Sequence, residues 1–519
     1  MKGLVKCPLC DELVRENLRQ HVLSLHGEEG FRRAILLEKE SGMSDAEIGR
    51  RYGISFGTLQ QLVTQLYGVN LSVLRPPKRI KRWCPPNFRL ETTTVWSFKQ
   101  RGDWATHDGR YRGNWSPYIP RNIILRYSQP GDLVMDYFVG GGTTAVEAKL
   151  LGRRCIARDI NPQAIALTLQ NLEFSPPPSL LNGKTIYEPI VEVGDARDLS
   201  SIPDESVDLI CAHPPYAGII KYSSGVPGDL SALPLPKFLK EMQRVAEESL
   251  RVLKPGGKCA ILVGDARKSK HVVPIGFMLI RTFLDVGFKL KELIIKRQHN
   301  CRMTGFWYER SIHYNFLLLA HEYLPVFEKP RVTFVKEPTP VWEQSLTYRI
   351  MLEKIRQVKA EHLETTTVWI FPSERQEEEI KRNLSWRYAG NREDFLKIQF
   401  SPCWEHDSLQ LPLWKNDLML VQGLEEWDEG SFAGYRKVVK ELARQVNCAY
   451  LVIEAKDFRR HNGELVPAAL LLWEDLEPQK SLVLKEIIIV VPEELTSEFN
   501  AADLRIVHKY LLVYARKRP

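Results

Sequence analysis

The chain has 519 residues and a mass of 59.9 kDa, which at roughly 150 residues per domain corresponds to about three domains. Its content of 44% hydrophobic and 26% charged residues is typical of globular proteins and excludes collagen-like, mostly disordered and small disulfide-rich classes. The net charge of +8 favours a polyanionic partner mildly.

The apolar runs and the cysteines of the sequence indicate the cellular compartment of the protein. No apolar run reaches the roughly 18 residues that a membrane span needs, and the start MKGLVKCPLC lacks a signal-peptide core. The nine cysteines are mostly isolated, which favours a reducing interior over a disulfide framework. We therefore predict a cytoplasmic, nucleoid-associated protein with no membrane partner.

Two cysteines and two histidines near the N-terminus have the spacing of a tetrahedral zinc site. They follow the pattern Cys7-x2-Cys10-x10-His21-x4-His26, with a helix predicted between the two pairs. Because the central gap of ten is shorter than the usual gap of about twelve, we expect a variant finger that resembles the single fingers of bacterial regulators. The pattern leaves open whether the finger contacts DNA or braces its neighbour.

The next segment, SDAEIGRRYGISFGTLQQLVTQLYG (44–68), predicts two short helices around a glycine turn. Ser44 and Glu47 form a capping box, and Gly53 ends the first helix. The arrangement resembles a helix-turn-helix with 56–67 as the recognition helix. A helical hairpin that braces the finger is the alternative.

Much of the positive charge lies at the N-terminus, where residues 1–90 carry 15 Lys and Arg against 9 Asp and Glu. The stretch RPPKRIKRWCPPNFRL (75–90) is basic and rich in proline, which predicts a stiff extended linker. Trp83 among the cations favours a contact along a nucleic-acid backbone over a solvated spacer. The candidate contacts are Arg79, Lys81 and Arg82.

From about residue 91, strand patterns alternate with helix patterns, which predicts an α/β fold with a doubly wound, Rossmann-like parallel sheet. GDLVMDYFVGGGTTAVEAKLLG (131–152) reads as a strand, a glycine turn and a helix whose N-terminus offers free N–H groups. It is neither a GxGxxG fingerprint nor a Walker loop. Two later strands end near Asp159, placed for ribose hydroxyls, and Asp195, placed for a purine edge.

The strand of VDLICAHPPYAG (207–218) runs into a His-Pro-Pro-Tyr loop. Together with the glycine segment, it resembles the amino-directed DNA methyltransferases, which move a methyl group from S-adenosylmethionine to N4 of cytosine or N6 of adenine. The resemblance covers about 91–325 and implies a catalytic loop of His213, Pro214, Pro215 and Tyr216. It implies a donor loop D-x-F-x-G-x-G-T-T of Asp136, Phe138, Gly140, Gly142, Thr143 and Thr144, and a segment closing over the methionine half of the donor that contains Trp115 and Pro117.

The exocyclic amine of a base is a poor nucleophile because its lone pair is delocalised into the ring. By the resemblance, the Pro214 carbonyl and the side chain at 213 accept its N–H bonds and aim the nitrogen at the methyl group. Tyr216 would stack on a base drawn out of the duplex.

Two residues depart from the family pattern. Tyr137 replaces a common proline, a change we expect to be tolerated, and His213 replaces Asp, Asn or Ser. Because only the neutral imidazole can accept an N–H bond, methyl transfer should fall as the pH drops through the pKa of His213, nominally about 6.5. The alternative is that His213 marks an inactive relic that still binds the donor.

The segment KRQHNCRMTGFWYERSIHYN (296–315) places cations and aromatics between two strands. Such a mixture suits phosphate and base contacts, although a structural loop with packed aromatics is the alternative. The candidate contacts are Lys296, Arg297, Arg302, Trp307 and Arg310.

Residues 361–519 are predicted to be a degenerate second copy. LETTTVW occurs at 90–96 and 363–369, and KCAILVGDAR (258–267), LKELII (290–295) and HYNFLLLA (313–320) match NCAYLVIEAK (447–456), LKEIII (484–489) and HKYLLVYA (508–515). In the same register the catalytic loop reads Gln422-Gly423-Leu424-Glu425, and the glycine loop and ribose Asp have no counterpart. The copy would either contact the target DNA or only stabilise the fold.

The leading interpretation is a site-specific methyltransferase of double-stranded DNA, with a slight preference for cytosine N4. Its cofactors would be S-adenosylmethionine and a structural Zn²⁺, and a restriction or defence protein is a candidate partner. The sequence leaves the oligomeric state open, with a monomer as one candidate. An RNA methyltransferase and a DNA-binding regulator with an inactive methyltransferase fold are the rivals. The predicted domains are the finger (1–27), the helix-turn-helix (28–70), the linker (71–90), the catalytic domain (91–325), a connection (326–360) and the degenerate copy (361–519).

Overall fold

The structure is a computed structural model. It describes residues 5–10, 12–14, 17–41, 43, 45–54, 59, 62, 80–107, 111, 113–177, 185–215, 226, 228–299, 310–331, 347–354, 363–390, 394–401, 417–494 and 503–517. Contacts divide the chain into two compact units, the first formed by 1–90 and 100–259 and the second by 91–99 and 260–519. Within the described ranges, no helix is long and apolar enough to cross a membrane.

Ten helices are described. They are α1 Leu18–Glu40, α2 Asp45–Tyr52, α3 Tyr118–Tyr127, α4 Thr143–Leu150, α5 Pro162–Leu172, α6 Leu235–Val252, α7 Ile275–Val286, α8 Gln376–Tyr388, α9 Glu429–Gln445 and α10 Ala468–Leu476. The first is interrupted at Gly27, whose φ of 68° is non-helical.

The described strands of the N-terminal region and the predicted catalytic domain are β1 Val5–Lys6, β2 Leu13–Val14, β3 Val95–Ser97, β4 Leu133–Asp136, β5 Arg154–Asp159, β6 Ile190–Val193, β7 Val207–Ala212, β8 Leu253–Ile261, β9 Ala266–Lys268, β10 His271–Val273, β11 Lys289–Arg297 and β12 His321–Glu328. Those that follow are β13 Thr347–Lys354, β14 Val368–Phe371, β15 Asp394–Ser401, β16 Leu418–Gln422, β17 Tyr450–Ala455, β18 Phe458–Arg459, β19 Leu465–Val466, β20 Leu482–Pro492 and β21 Lys509–Arg516.

The N-terminal hairpin β1–β2 and the helices α1 and α2 share one apolar core, which includes Cys7, Val22, Ile35, Ile48 and Tyr52. The two predicted N-terminal modules therefore pack as one body. The first helix of the predicted helix-turn-helix is present as α2, whereas most of the recognition helix 56–67 lies outside the described residues.

Arg51, one of two adjacent arginines in the last turn of α2, contacts other residues of this body. Its guanidinium lies 3.0 Å from a carboxylate oxygen of Glu38 and donates to the Lys6 carbonyl at 2.7 Å. Arg50 is exposed, so of the two arginines only Arg50 stays available to a partner.

The sheet of the first unit has the strand order β6-β5-β4-β7-β8. The pairs β5–β6, β4–β5 and β4–β7 are parallel, and α4 and α5 connect β4 to β5 and β5 to β6. The chain therefore winds outward from β4 and returns to its other side at β7, which makes the gap between β4 and β7 a topological switch point. The predicted doubly wound, Rossmann-like α/β sheet is confirmed.

In the second unit β11 pairs in parallel with β3 and antiparallel with β12. A second, seven-stranded sheet has the order β13-β15-β16-β17-β21-β20-β14. There β20 pairs in parallel with β14 and antiparallel with β21. The set β14-β20-β21 thus repeats the order and directions of β3-β11-β12.

The register repeats as well. Ile295 lies opposite Val95 on one side and Tyr323 on the other, and Ile489 lies opposite Val368 and Tyr510. Both hairpins carry a register shift at the same place, between Leu290 and Glu292 and between Leu484 and Glu486. These registers agree with the matches of LETTTVW and of LKELII with LKEIII.

Two of the four matched blocks are wrong in register. Since Tyr323 and Tyr510 are equivalent, the counterpart of HKYLLVYA begins at His321, eight residues after His313. Val263 bridges Tyr323 as Ala455 pairs with Tyr510, so the second block is displaced by three residues. Short apolar strands contain few distinctive letters, which allowed these shifted alignments.

Candidate active site

A cleft of about 780 Å³ opens at the switch point of the first unit. It is lined from the carboxyl ends of four strands, with Gly140 following β4, Asp159 ending β5, Asp195 following β6 and His213 following β7. Ligands of doubly wound sheets bind at this edge. Further lining residues are Tyr111, Asn114, Trp115, Phe138, Asn161, Pro215 and Asp229.

The glycine loop has no room for side chains. A Cβ at Gly140 would come 2.8 Å from the Tyr111 ring, and a Cβ at Gly141 would come 2.9 Å from the Asn114 amide. Gly142 has a φ of 83° and caps α4, a backbone conformation that favours glycine. The absence of side chains therefore lets Tyr111 and Asn114, which also line the cleft, pack directly against the backbone of the loop.

Asp159, at the end of β5, is hydrogen-bonded to the glycine loop. Its two carboxylate oxygens accept the N–H groups of Gly140 at 3.0 Å and Asn161 at 2.9 Å. Burial, aided by the charge of Asp229, raises the pKa of Asp159 to about 6 despite these bonds. Each oxygen keeps a second lone pair, so the carboxylate can still accept hydroxyl groups of a ligand.

Asp136 and Thr144 support the loop from inside the sheet. Asp136 accepts the Phe138 N–H at 3.0 Å, and burial raises its pKa to about 7, opposed by a hydrogen bond from Thr144. Thr143 donates to the Asn114 side chain at 2.5 Å. These predicted donor-loop residues brace the loop rather than line the cleft.

Asp195 is held by a neighbouring arginine. The Arg197 guanidinium donates to both of its carboxylate oxygens, the shorter bond being 2.6 Å, and also pairs with Glu241 at 2.6 Å. Partial burial acts in the opposite direction, but Arg197 holds the pKa of Asp195 below its usual value. The residue faces the cleft as a fixed carboxylate, as an acceptor for a base edge requires.

The His213 ring stacks on the Trp115 ring with centroids 5.7 Å apart and an angle of 21°. The structure thus brings together the segment expected to close over the donor and the catalytic loop. Pro214 is buried and Pro215 lines the cleft. Tyr216 lies outside the described residues.

Tyr137, the first departure from the family pattern, is accommodated. Its buried hydroxyl lies 2.9 Å from the Ser249 hydroxyl, which itself donates to the Val245 carbonyl at 2.6 Å. Tyr137 therefore donates to Ser249, and its phenol is satisfied in the core.

A buried carboxylate organises the segment before α3. Glu147 on α4 accepts the Trp104 indole N–H at 2.6 Å, lies 2.7 Å from the His107 ring nitrogen and accepts from Arg121 at 2.8 Å. Burial opposes ionisation, but these partners lower the pKa of Glu147. Because Trp115 lies between His107 and Arg121 in the chain, the network holds the cleft wall against the glycine-loop helix.

The sequence reasoning missed Glu147, Asp229, Tyr111 and Asn114. A signal for Glu147 existed, since an acid within the apolar run TTAVEAKLLG indicates a buried partner. Asp229 lies after a segment without periodicity, and Tyr111 and Asn114 lie in a loop, so no pattern marked them.

Four other predicted residues gather near the N-terminus. The ligand atoms of Cys7, Cys10, His21 and His26 lie within 4.8 Å of one another. The Nε2 atom of His26 is buried without a hydrogen-bond partner. A carboxylate oxygen of Glu12 lies 3.8 Å from Nδ1 of His21. The predicted ligand set is thus assembled in the fold.

The residues predicted to contact nucleic acid differ in their exposure and in their ion pairs. Lys81 and Arg82 are exposed, with Arg82 3.7 Å from the Asp103 carboxylate. In the second unit Lys296 pairs with Glu322 at 2.7 Å, and burial lowers the pKa of Arg297. Arg310 is exposed, whereas Arg79, Arg302 and Trp307 lie outside the described residues.

The sequence matches the model of a known protein family. The sequence model of the family described as DNA methylase matches residues 73–170 and 207–401, more than half of the chain. These ranges include the glycine loop and the His-Pro-Pro loop.

Individual relatives match shorter segments. The tRNA (guanine(10)-N2)-dimethyltransferase of Methanothermobacter thermautotrophicus is 36% identical over 22% of this chain and 31% of its own length. The type II methyltransferase M1.MboII of Moraxella bovis is 40% identical over 17% and 36%, and M2.DpnII of Streptococcus pneumoniae is 39% identical over 14% and 25%. The chain therefore matches about a third or less of the length of these relatives.

Replacing Glu147 by Gln should destabilise the protein by about 3 kcal/mol, because the largely buried Arg121 cation loses its counter-charge and the amide NH2 replaces one of the two acceptor oxygens. Denaturant unfolding measures the change. Glu247→Gln, the same substitution on an exposed turn of α6, is the control and should leave the free energy of unfolding unchanged. Equal midpoints for the two variants would show that the network does not hold the fold.

Proposed function

The chain belongs to the DNA methylase family, and from that premise we propose that it transfers a methyl group from S-adenosylmethionine to an exocyclic amine in double-stranded DNA. One observation carries the proposal. The glycine loop, Asp159 and the His213-Pro214-Pro215 loop open into one cleft at the switch point, with Trp115 stacked on His213.

The cleft fits the methyl donor. The bare glycine backbone at 140–142 allows close approach, Asp159 offers lone pairs for ribose hydroxyls, and Asp195 offers an acceptor for the purine edge. Trp115 would cover the methionine half. When bound, S-adenosylmethionine supplies an electrophilic methyl group on a sulfonium centre.

The catalytic loop would hold the accepting amine. The Pro214 carbonyl and a neutral His213 ring would each accept one N–H bond, which favours a tetrahedral nitrogen with its lone pair free. Because the Trp115 ring covers one face of His213, the imidazole is held in place and need not reorganise during the reaction. The base would be flipped into the cleft, and we propose cytosine N4 ahead of adenine N6.

A second candidate is methylation of an RNA base. It is favoured by the match to the tRNA (guanine(10)-N2)-dimethyltransferase. Type II methyltransferases among the relatives and the N-terminal body with α2 support duplex DNA, because a helix can read base edges in the major groove.

We further propose that 361–519 is a degenerate copy of the catalytic fold that supports recognition of the target. The repeated strand order and the two matched register shifts support this origin. At the end of β16, Gln422 and Gly423 stand where His213 and Pro214 follow β7, so the copy does not keep the His-Pro-Pro-Tyr sequence of the catalytic loop.

We also propose that Cys7, Cys10, His21 and His26 bind a structural zinc ion. The unpartnered nitrogen of His26 and the mixed sulfur and nitrogen donor set fit a tetrahedral zinc site, and Glu12 would orient the His21 ring. The ion would hold β1–β2 on α1 and would take no part in methyl transfer.

Substitutions at His213 distinguish an active enzyme from an inactive relic that only binds the donor. Methyl transfer to duplex DNA, measured with labelled S-adenosylmethionine, should fall at least about tenfold in His213→Ala, the effect of losing one positioned acceptor. His213→Asn, which restores an amide acceptor, should retain most of the rate. Wild-type transfer that is absent, or equal to that of His213→Ala across pH 5.5–8, would contradict the proposed role.

Donor binding should depend on pH through Asp159. Because its pKa is raised to about 6, the carboxylate is charged above that pH and neutral below it, so affinity for S-adenosylhomocysteine should fall about tenfold between pH 7.5 and 5. Calorimetric titration measures this dependence. Asp159→Asn should bind weakly with a flat profile, whereas a flat wild-type profile would exclude Asp159 as the acceptor.

Purified protein should contain one zinc ion per chain, measured by elemental mass spectrometry. Cys10→Ser should lose the ion because a thiolate ligand is removed. Cys84→Ser, at an exposed cysteine outside the cluster, is the matched control and should retain it. Zinc loss in both variants, or in neither, would contradict the ligand assignment.

A further inference from the structure

Two buried ion pairs in the second unit have the same form. The Glu292 carboxylate pairs with Arg459 at 2.5 Å, and the Glu486 carboxylate pairs with Arg267 at 2.5 Å. Neither glutamate is exposed. The matched register shifts make Glu292 and Glu486 equivalent residues, so each pair joins a glutamate of one copy to an arginine of the other.

Each of these carboxylates also accepts a backbone N–H from the opposite copy. Glu292 accepts the backbone N–H of Leu504 at 3.0 Å, and Glu486 accepts that of Leu317 at 3.1 Å. Leu317 lies four residues before His321, which begins β12, and Leu504 lies four residues before His508, which precedes β21. They are therefore equivalent, and again each glutamate is bound by the opposite copy.

Two histidines show the same reciprocity. His508 lies 2.9 Å from the Thr94 hydroxyl, and His321 lies 2.8 Å from the Thr367 hydroxyl. Thr94 and Thr367 hold the same place in the two LETTTVW segments. All four side chains are buried, so these contacts belong to the interior.

Two backbone bridges between the copies show the same reciprocity as the side-chain contacts. Thr93 of the first copy bridges Arg505 of the second, and Leu318 of the first bridges Thr366 of the second. Thr93 and Thr366 are equivalent, as are Leu318 and Arg505. Every contact in this set therefore occurs twice, with the two copies exchanged.

The side chains that make these contacts are the same in both copies: Glu at 292 and 486, Arg at 267 and 459, Thr at 94 and 367, and His at 321 and 508. The second copy has lost the catalytic loop but has kept these four kinds of side chain. Other pairs between the copies occur once only: Arg281 on α7 pairs with Glu474 on α10, and Lys291 pairs with Asp503 at 2.5 Å. A face that carries both members of each pair is self-complementary, which is the property of a two-fold dimer interface.

We propose that 361–519 takes the place of a second subunit. It covers a self-complementary face formed by 91–99 and 260–328, and the partner that this face fits when uncovered is the same face of another chain. The protein is accordingly a single-chain pseudo-dimer with one catalytic loop, and it stays monomeric because its own second copy occupies the face. This inference rests on the contacts of the second unit and on the proposed duplication, and not on the proposed chemistry.

The test uses the full chain and reverses charges on the second copy alone. In Arg459→Glu/Glu486→Arg, like charges oppose Glu292 and Arg267, while the face of the first copy still complements itself between chains. Light scattering should give the single-chain mass of 59.9 kDa for the wild type and twice that mass for the variant.

Two further variants control the result. Adding Arg267→Glu and Glu292→Arg restores both pairs within the chain, so the fourfold variant should return to the single-chain mass and to the wild-type melting temperature. Glu441→Arg/Arg444→Glu reverses an exposed pair of α9 and should stay monomeric.

Three outcomes would overturn the proposal. They are a wild type that is already dimeric, a twofold variant that remains monomeric or forms aggregates of no fixed mass, and a fourfold variant that does not recover. Because none of these measurements involves methyl transfer, failure of the proposed activity would leave this test unaffected.

Discussion

The geometry of the cleft depends on one buried carboxylate. Glu147 projects from the helix that begins at the glycine loop and binds Trp104 and His107, in the segment before α3, and Arg121 on α3. This segment contains Trp115, which reaches the ring of His213. A carboxylate in the core is costly unless its hydrogen bonds are all satisfied, so the network specifies one arrangement of loop, wall and catalytic residue. The cleft is thereby formed before any ligand arrives.

The sequence predicted what periodicity and motif spacing encode. It gave the parallel sheet, the glycine turn, Asp159 and Asp195 at strand ends, and the four candidate zinc ligands, because each follows from local pattern and from the common edge of parallel strands. It did not reveal Glu147 or Asp229, whose roles arise from contacts across more than twenty residues or from an aperiodic loop. It also placed two of the four repeat blocks out of register, since apolar strands resemble one another after a shift of a few residues.

The proposed duplication indicates which parts of the fold were kept. In the proposed second copy, the sequence after β15 (402–416) contains no glycine and Gln422 takes the place of His213, yet Glu486, Arg459 and His508 match the first copy. Loss of one member of a buried ion pair costs several kcal/mol. The retained side chains are those on which packing depends.

The central claim is transfer of a methyl group to an exocyclic amine of DNA. The most direct measurement is nucleoside mass spectrometry of genomic DNA and total RNA from a host without amino-methylated bases, expressing either the wild-type chain or Asp159→Asn. The account predicts N4-methylcytosine or N6-methyladenine in DNA with the wild type only. Methylated nucleosides in RNA alone, or in neither nucleic acid, would contradict it.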